Sequence, residues 1–107
     1  MSATNTINVI GRVGGPVQTR QVGERTVAKF SVAVNRPTKD KDTDWFNVEV
    51  WGKAAEAAEK MIDKGSLVAV SGSMNSRKHE GKEYWTLNAN DWQFVGSKPA
   101  DKDGMDF

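Results

Sequence analysis

The chain has 107 residues, enough for one domain with a modest core and too few for two. Its 15 Lys and Arg nearly balance 14 Asp and Glu, and the absence of cysteine excludes disulfides, zinc–thiolate sites and thiol nucleophiles. The charge is uneven: residues 1–98 hold 14 Lys and Arg against 11 Asp and Glu, while residues 99–107 hold one Lys and three Asp. A mildly basic body therefore precedes an acidic tail. No apolar run is long enough to span a membrane, and Met1 to Asn5 lack the charged and apolar regions of a signal peptide. The default expectation is a soluble, intracellular protein.

In chain order, residues 1–5 are small and polar. Ile7, Val9 and Ile10 begin a strand toward Val13, and Gly11, Gly14, Gly15 and Pro16 predict a bend followed by a turn. No helix start or Lys-Ser/Thr follows these glycines, so they do not form a phosphate-binding loop. Val17 to Val22 alternates again, and Gly23-Glu24 predicts a hairpin turn. Thr26 to Asn35 reads as a strand with Phe30, Val32 and Val34 on one face. Arg36 to Asp44 has no apolar residue and reads as a solvated loop.

Trp45 to Trp51 is the central strand. Side chains alternate between faces, so Phe46, Val48 and Val50 point to the core while Trp45, Asn47, Glu49 and Trp51 share the other side. Tryptophan is normally kept largely out of water, so a polar face with a Trp at each end needs either a covering layer or a flat ligand.

Ala54 to Ile62 is the one helix, favoured by alanine and glutamate, with Ala54, Ala58, Met61 and Ile62 as its apolar stripe and Gly65 as its stop. Leu67 to Ser73 is the next strand. Arg77 to Glu83 is a polar hairpin tip turning at Gly81, and Tyr84 to Val95 is the last strand, bulged at Asn90-Asp91. That bulge would put Leu87, Ala89, Trp92 and Phe94 on the core face. Three strands, a helix and two more strands predict an all-β, five-stranded Greek-key barrel of the OB-fold type, with the helix joining strands three and four. A β-sandwich is the rival, disfavoured by the single internal helix. The domain is expected over residues 1–96, with a short flexible acidic tail over 97–107.

Catalysis has little to work with. The single histidine, His79, lies in a charged hairpin, and the carboxylates are scattered or close to lysines. No metal or other cofactor is implied. Binding is better supported, because a single-stranded nucleic acid needs cations for phosphates and aromatic faces for bases. Trp45 and Trp51 supply the faces, with His79, Tyr84 and Trp85 in or beside the second hairpin. Tyr84 and Trp85 point to opposite sides, so at most one faces outward with the others. Trp51, at a strand end, has packing at the barrel end or in a subunit interface as its alternative role. Lys53, Arg77, Lys78 and Lys82 form a basic group. Arg12, Arg20 and Arg36 join it as candidate phosphate contacts, informative only collectively.

These residues resemble the bacterial single-stranded DNA-binding proteins and their phage and plastid relatives. The resemblance runs through Asn8 to Gly14, Phe30 to Arg36, Asp44 to Glu56, Lys64 to Gly72 and Asn75 to Lys78, with Phe107 at the end. Its most specific part is Trp51-Gly52-Lys53-Ala54-Ala55-Glu56 and the following Lys64-Gly65-Ser66. It implies an OB-fold homo-oligomer, usually a tetramer with a dimer as the alternative, that binds single-stranded DNA without sequence preference in replication, recombination and repair, in the cytoplasm with the nucleoid. Trp45 and Trp51 match base-stacking positions. His79 stands where many members have tryptophan, and the Arg36 to Asp44 loop lacks another of their aromatics. The tail keeps Asp101, Asp103, Asp106 and Phe107 but lacks the long linker and the penultimate proline. The resemblance implies that it docks replication and repair proteins, Phe107 entering an apolar pocket with a basic rim. The alternative function is a primosomal-type OB-fold adaptor acting mainly through protein contacts.

Overall fold

A computed structural model describes residues 4–37, 39 and 42–97. The strands are β1 (Ile7–Val13), β2 (Gln18–Val22), β3 (Arg25–Asn35), β4 (Thr43–Trp51), β5 (Leu67–His79) and β6 (Lys82–Gly96), with one helix, α1 (Lys53–Met61), between β4 and β5. The expected first strand is two segments. β1 and β2 both pair antiparallel with β3, at Val13↔Val32 and Gln18↔Lys29, so four residues of the first strand loop out against two of β3. Together β1 and β2 act as one bent strand, and the bend falls at Gly14, Gly15 and Pro16.

The sheet runs β1-β5-β6-β4-β3, and the β1–β3 pairing closes it into a barrel. All pairings are antiparallel except β4–β6, which is parallel at Val48↔Leu87 and Val50↔Ala89. This is the OB-fold. Alternation along the strands fills its interior: Val9, Val13, Ala28, Phe30, Val32, Val48, Val50, Val68, Val70 and Leu87 are all buried. Removing such side chains from water is the main stabilising term, roughly 1.5–3 kcal/mol for each large one.

β5 and β6 form a long hairpin paired from Leu67↔Gly96 to His79↔Lys82. Ser71 pairs Asp91 and Gly72 pairs Ala89, so Asn90 is the extra residue of a bulge, as the sequence predicts. At Gly72 the strands approach so closely that a Cβ would run into the Asn88 backbone carbonyl. The outer half of this hairpin is exposed and projects past the barrel rim as an arm.

Three expectations are corrected. The helix buries Ala55 and Ala58, with Ile62 just beyond its end, while Met61 is exposed. Residues 55, 58 and 62 share a narrow stripe at helical spacing, and Met61 falls outside it. Gly65 does not stop the helix, because Ile62 is already extended; Gly65 lies in the next turn, its N–H donating to the Val13 carbonyl at 2.7 Å. Phe94 points inward by alternation but is 39% exposed at the barrel end, whereas Trp92 packs on the core and donates from Nε1 to the Ala54 carbonyl at 3.1 Å.

Candidate nucleic-acid interface

The outer face of β3 and β4 is polar. Lys29 and Ser31 alternate with the buried residues of β3, and Asn47 and Glu49 with those of β4; the register sets Lys29 opposite Glu49 and Ser31 opposite Asn47. The bend at Gly15-Pro16 flanks this surface on one side, and the arm flanks it on another. The result is an open cleft of about 580 Å³, lined also by Gln18, Arg77, His79, Tyr84 and Thr86. A smaller depression of about 270 Å³ continues from Gln18 and Lys29 across Thr19, Arg20 and Val27.

The two tryptophans of β4 stand at opposite ends of this outer face, beyond the lining of both depressions, six residues apart and therefore roughly 20 Å apart along the strand. Trp45 is 60% exposed. Its ring lies against the backbone of Gly14, where a Cβ would collide with it. The expected outward face of β4 is therefore observed, and the bend glycine makes room for the ring. Trp51 is half-buried: it is opposite Val27, and the Arg25 guanidinium sits 5.0 Å from its ring centroid. This cation–π contact covers part of the ring and brings a positive charge to it.

On the arm, directly paired residues share a face. Arg77 pairs with Tyr84 and His79 with Lys82, and Arg77, His79 and Tyr84 line the cleft. Ser76 pairs with Trp85 and Lys78 with Glu83 on the reverse side. Tyr84 is therefore the aromatic that faces the cleft. Trp85 shares the face of Leu87 but lies past the barrel rim, where nothing covers it, and it is 52% exposed. Trp85 and Lys78 thus stand apart from the cleft.

The candidate cations separate into distinct environments. Arg77 Nη2 lies 3.6 Å from Glu49 Oε2, joining the arm to the cleft floor. Arg20 lines the smaller depression, and Lys53 is exposed at the start of α1, two residues after Trp51. Arg36 is engaged elsewhere, donating from Nε and Nη2 to the two Asp44 oxygens at 2.9 and 2.8 Å. That pair raises the Arg36 pKa and holds the Asp44 carboxyl below its ordinary range, chiefly through the hydrogen bonds. Arg12 is a structural residue: its Nη1 donates to the Gly65 carbonyl at 3.2 Å and the Ser97 carbonyl at 3.1 Å, tying the end of β6 to the turn before β5. It lies outside the cleft lining.

Sequence reasoning placed Asn47 and Glu49 on the outer face without giving them a role, and did not single out Lys29, Ser31, Gln18 or Arg25. Their signal was the polar alternate positions of β3 and β4, but only the register shows which strands meet. Asp101, Asp103, Asp106 and Phe107 lie outside the described residues. Among the described residues no group of three or more His, Asp or Glu could hold a metal ion, and no helix is long and apolar enough to cross a membrane.

Comparison with known proteins agrees with this geometry. A family model described as the single-strand binding protein family matches residues 4–91. A single-stranded DNA-binding protein of Thermosynechococcus vestitus is 42% identical over 71 residues, covering 65% of this chain and 59% of that protein. Single-stranded DNA-binding protein 1 of Synechocystis is 34% identical over 105 residues, covering 90% of this chain and 87% of that protein. A single-stranded DNA-binding protein of Neisseria meningitidis is 30% identical over 116 aligned positions, covering 96% of this chain and 66% of that protein. With its OB-fold barrel and a family match that takes in both tryptophans of β4, the chain belongs to the single-strand binding protein family.

Proposed function

We propose that the chain binds single-stranded DNA along the outer face of β3 and β4, without strong sequence preference, and covers exposed strands during replication, recombination and repair. The supporting observation is that the cleft and the adjoining depression, with Lys29, Arg77 and Arg20 in their walls, lie on the β3–β4 face whose two ends carry Trp45 and Trp51. Bases stack on Trp45, Tyr84 and the open part of Trp51, while phosphates follow the cations. Such stacking is worth about 1–3 kcal/mol per base and tolerates any base, because every base has a π-face. His79, Lys82 and Lys53 flank the track at its edges. Trp85 and Lys78, on the reverse of the arm, contact only a strand that wraps around it.

Two further parts of the reading rest on the family. The chain assembles as a homo-oligomer, with the tetramer as the first expectation, and the residues from Asp101 to Phe107 recruit replication and repair proteins. The test is a titration with oligo-dT at low salt. Binding should quench tryptophan fluorescence and weaken as salt rises, because bound phosphates release counterions. Folded protein that shows no quenching at low salt would refute the proposal.

A further inference from the structure

A carboxylate sits on the floor of the cleft between two cations. The Glu49 side chain is only 14% exposed, and its Oε2 lies 3.8 Å from Lys29 Nζ and 3.6 Å from Arg77 Nη2. Both separations exceed a hydrogen bond, and both fall on the same oxygen. The carboxylate therefore keeps acceptor capacity and both cations keep donor capacity. All three residues line the same cleft as Tyr84, which pairs directly with Arg77.

A carboxylate at the centre of a groove repels phosphates, and holding Lys29 and Arg77 at 3.6 to 3.8 Å leaves its hydrogen-bonding capacity unused. A base edge is a different ligand. In a single strand the Watson–Crick edge is free, and proteins read it by hydrogen bonds. Lys29, Glu49 and Arg77 present donor, acceptor, donor in that order. Thymine presents the complement: carbonyl, ring N–H, carbonyl. Uracil has the same imide edge. Cytosine and adenine have no ring N–H there, and their bare ring nitrogen would face a carboxylate or leave one partner unused. Guanine matches only on one side of its ring N–H.

We propose that Lys29, Glu49 and Arg77 form a base-edge subsite for an imide base, thymine or uracil, within the single-strand track. The ring N–H donates to Glu49, the two carbonyls accept from Lys29 and Arg77, and the ring packs beside Tyr84. The inference rests on the proposed track and adds a preference among bases to it.

The test is competition between equal-length oligo-dT, oligo-dU, oligo-dC and oligo-dT carrying N3-methylthymine, using the full chain. Oligo-dT and oligo-dU should outcompete oligo-dC by about tenfold, the scale of one good base-edge contact. N3-methylation should remove that advantage. Glu49→Gln, nearly isosteric, should shrink the ratio of oligo-dT to oligo-dC affinity, because a neutral amide accepts the ring N–H more weakly and can turn its NH2 to cytosine's bare ring nitrogen. If Glu49→Gln tightens binding to every strand by one factor, Glu49 is only a repelling charge and the subsite is refuted. Equal affinity of the native protein for oligo-dT and N3-methylated oligo-dT refutes it without any variant. Folded protein that binds all strands equally overturns the subsite alone; folded protein that binds none overturns the proposed function as well.

Discussion

Trp45 and Trp51 share a strand and a face, yet they stand in different states. Trp45 rests on Gly14 and leaves most of its surface to solvent, whereas Trp51 is half-buried beside Val27 and Arg25. A ring already in contact with a guanidinium has less surface to offer a base. Trp45→Ala should therefore cost about 1–3 kcal/mol of single-strand affinity, the scale of one stacked base, and Trp51→Ala should cost less. Gly14→Ala should weaken binding in the same direction, because the new methyl group displaces the Trp45 ring. Fluorescence titration of each variant, with circular dichroism as a check on folding, measures both effects. Equal losses for the two tryptophans would show that the Arg25 contact opens when the strand binds. The outward face of both rings was legible from alternation alone. The Arg25 cover was not, because it comes from a different strand and depends on the β3–β4 register. Tyr84 and Trp85 were left open because which of them faces the cleft depends on the β5–β6 register, which is regular from Gly72↔Ala89 to His79↔Lys82 and sets Tyr84 beside Arg77.

Individual elements show where local rules hold and where tertiary pairing overrides them. Most strands, the hairpin turns and the Asn90 bulge were readable from alternation and turn residues, but β5 runs to His79, past the expected end at Ser73, because its polar outer half is held by pairing with β6 and not by burial. The division of the first strand was readable only as a bend, since its continuity as one barrel strand exists in its pairing to β3. The helix stripe was misplaced because alanine carries little periodic signal, and packing against the barrel decides which alanines are buried. Barrel closure rests partly on the parallel β4–β6 contact, where Leu87 is fully buried opposite Val48. Leu87→Ala should cost about 2–5 kcal/mol, through lost transfer energy and the cavity left behind; urea unfolding would measure it. A much smaller loss would mean that the barrel collapses around the site. The β3–β4 loop is pinned at its base by Arg36 and Asp44, with Thr43 Oγ1 donating to Asn35 Oδ1 at 2.7 Å. Asp44 has a depressed pKa in the folded chain. A depressed carboxyl contributes above its ordinary value and loses that contribution as pH falls through the folded value. The pin should therefore hold at neutral pH and release only below the ordinary carboxylate value of 3.8. The Arg36 Nε–H resonance should follow that release, and Asp44→Asn should remove the transition. A transition unchanged in Asp44→Asn would assign it to another group.

At the scale of the whole molecule, the track occupies one side of the barrel and leaves another side unexplained. Ile10 on β1 is 63% exposed, in register with Ala69 of β5, which pairs in turn with Gln93 of β6; Val95, the unpaired residue of a second bulge two positions further along β6, is also exposed. None of these residues lines the cleft. Scattered exposed apolar side chains are ordinary, so this patch alone decides nothing. Its placement does matter for the proposed homo-oligomer. A contact through β1 would bury Ile10 and leave every cleft open, so several subunits could hold one strand. Linked sites then bind a long strand far more tightly than one site does, with no new contact at any single site. Ile10→Asp places a charge where that interface would be and should lower the mass measured in solution. It should also weaken binding to a strand long enough to span several subunits, while a strand that fits one cleft keeps its affinity. The short strand is the control, since it reports whether the barrel and its cleft remain intact. Unchanged mass with unchanged long-strand binding would place the interface elsewhere on the barrel, and loss of short-strand binding as well would mean that the substitution damages the fold.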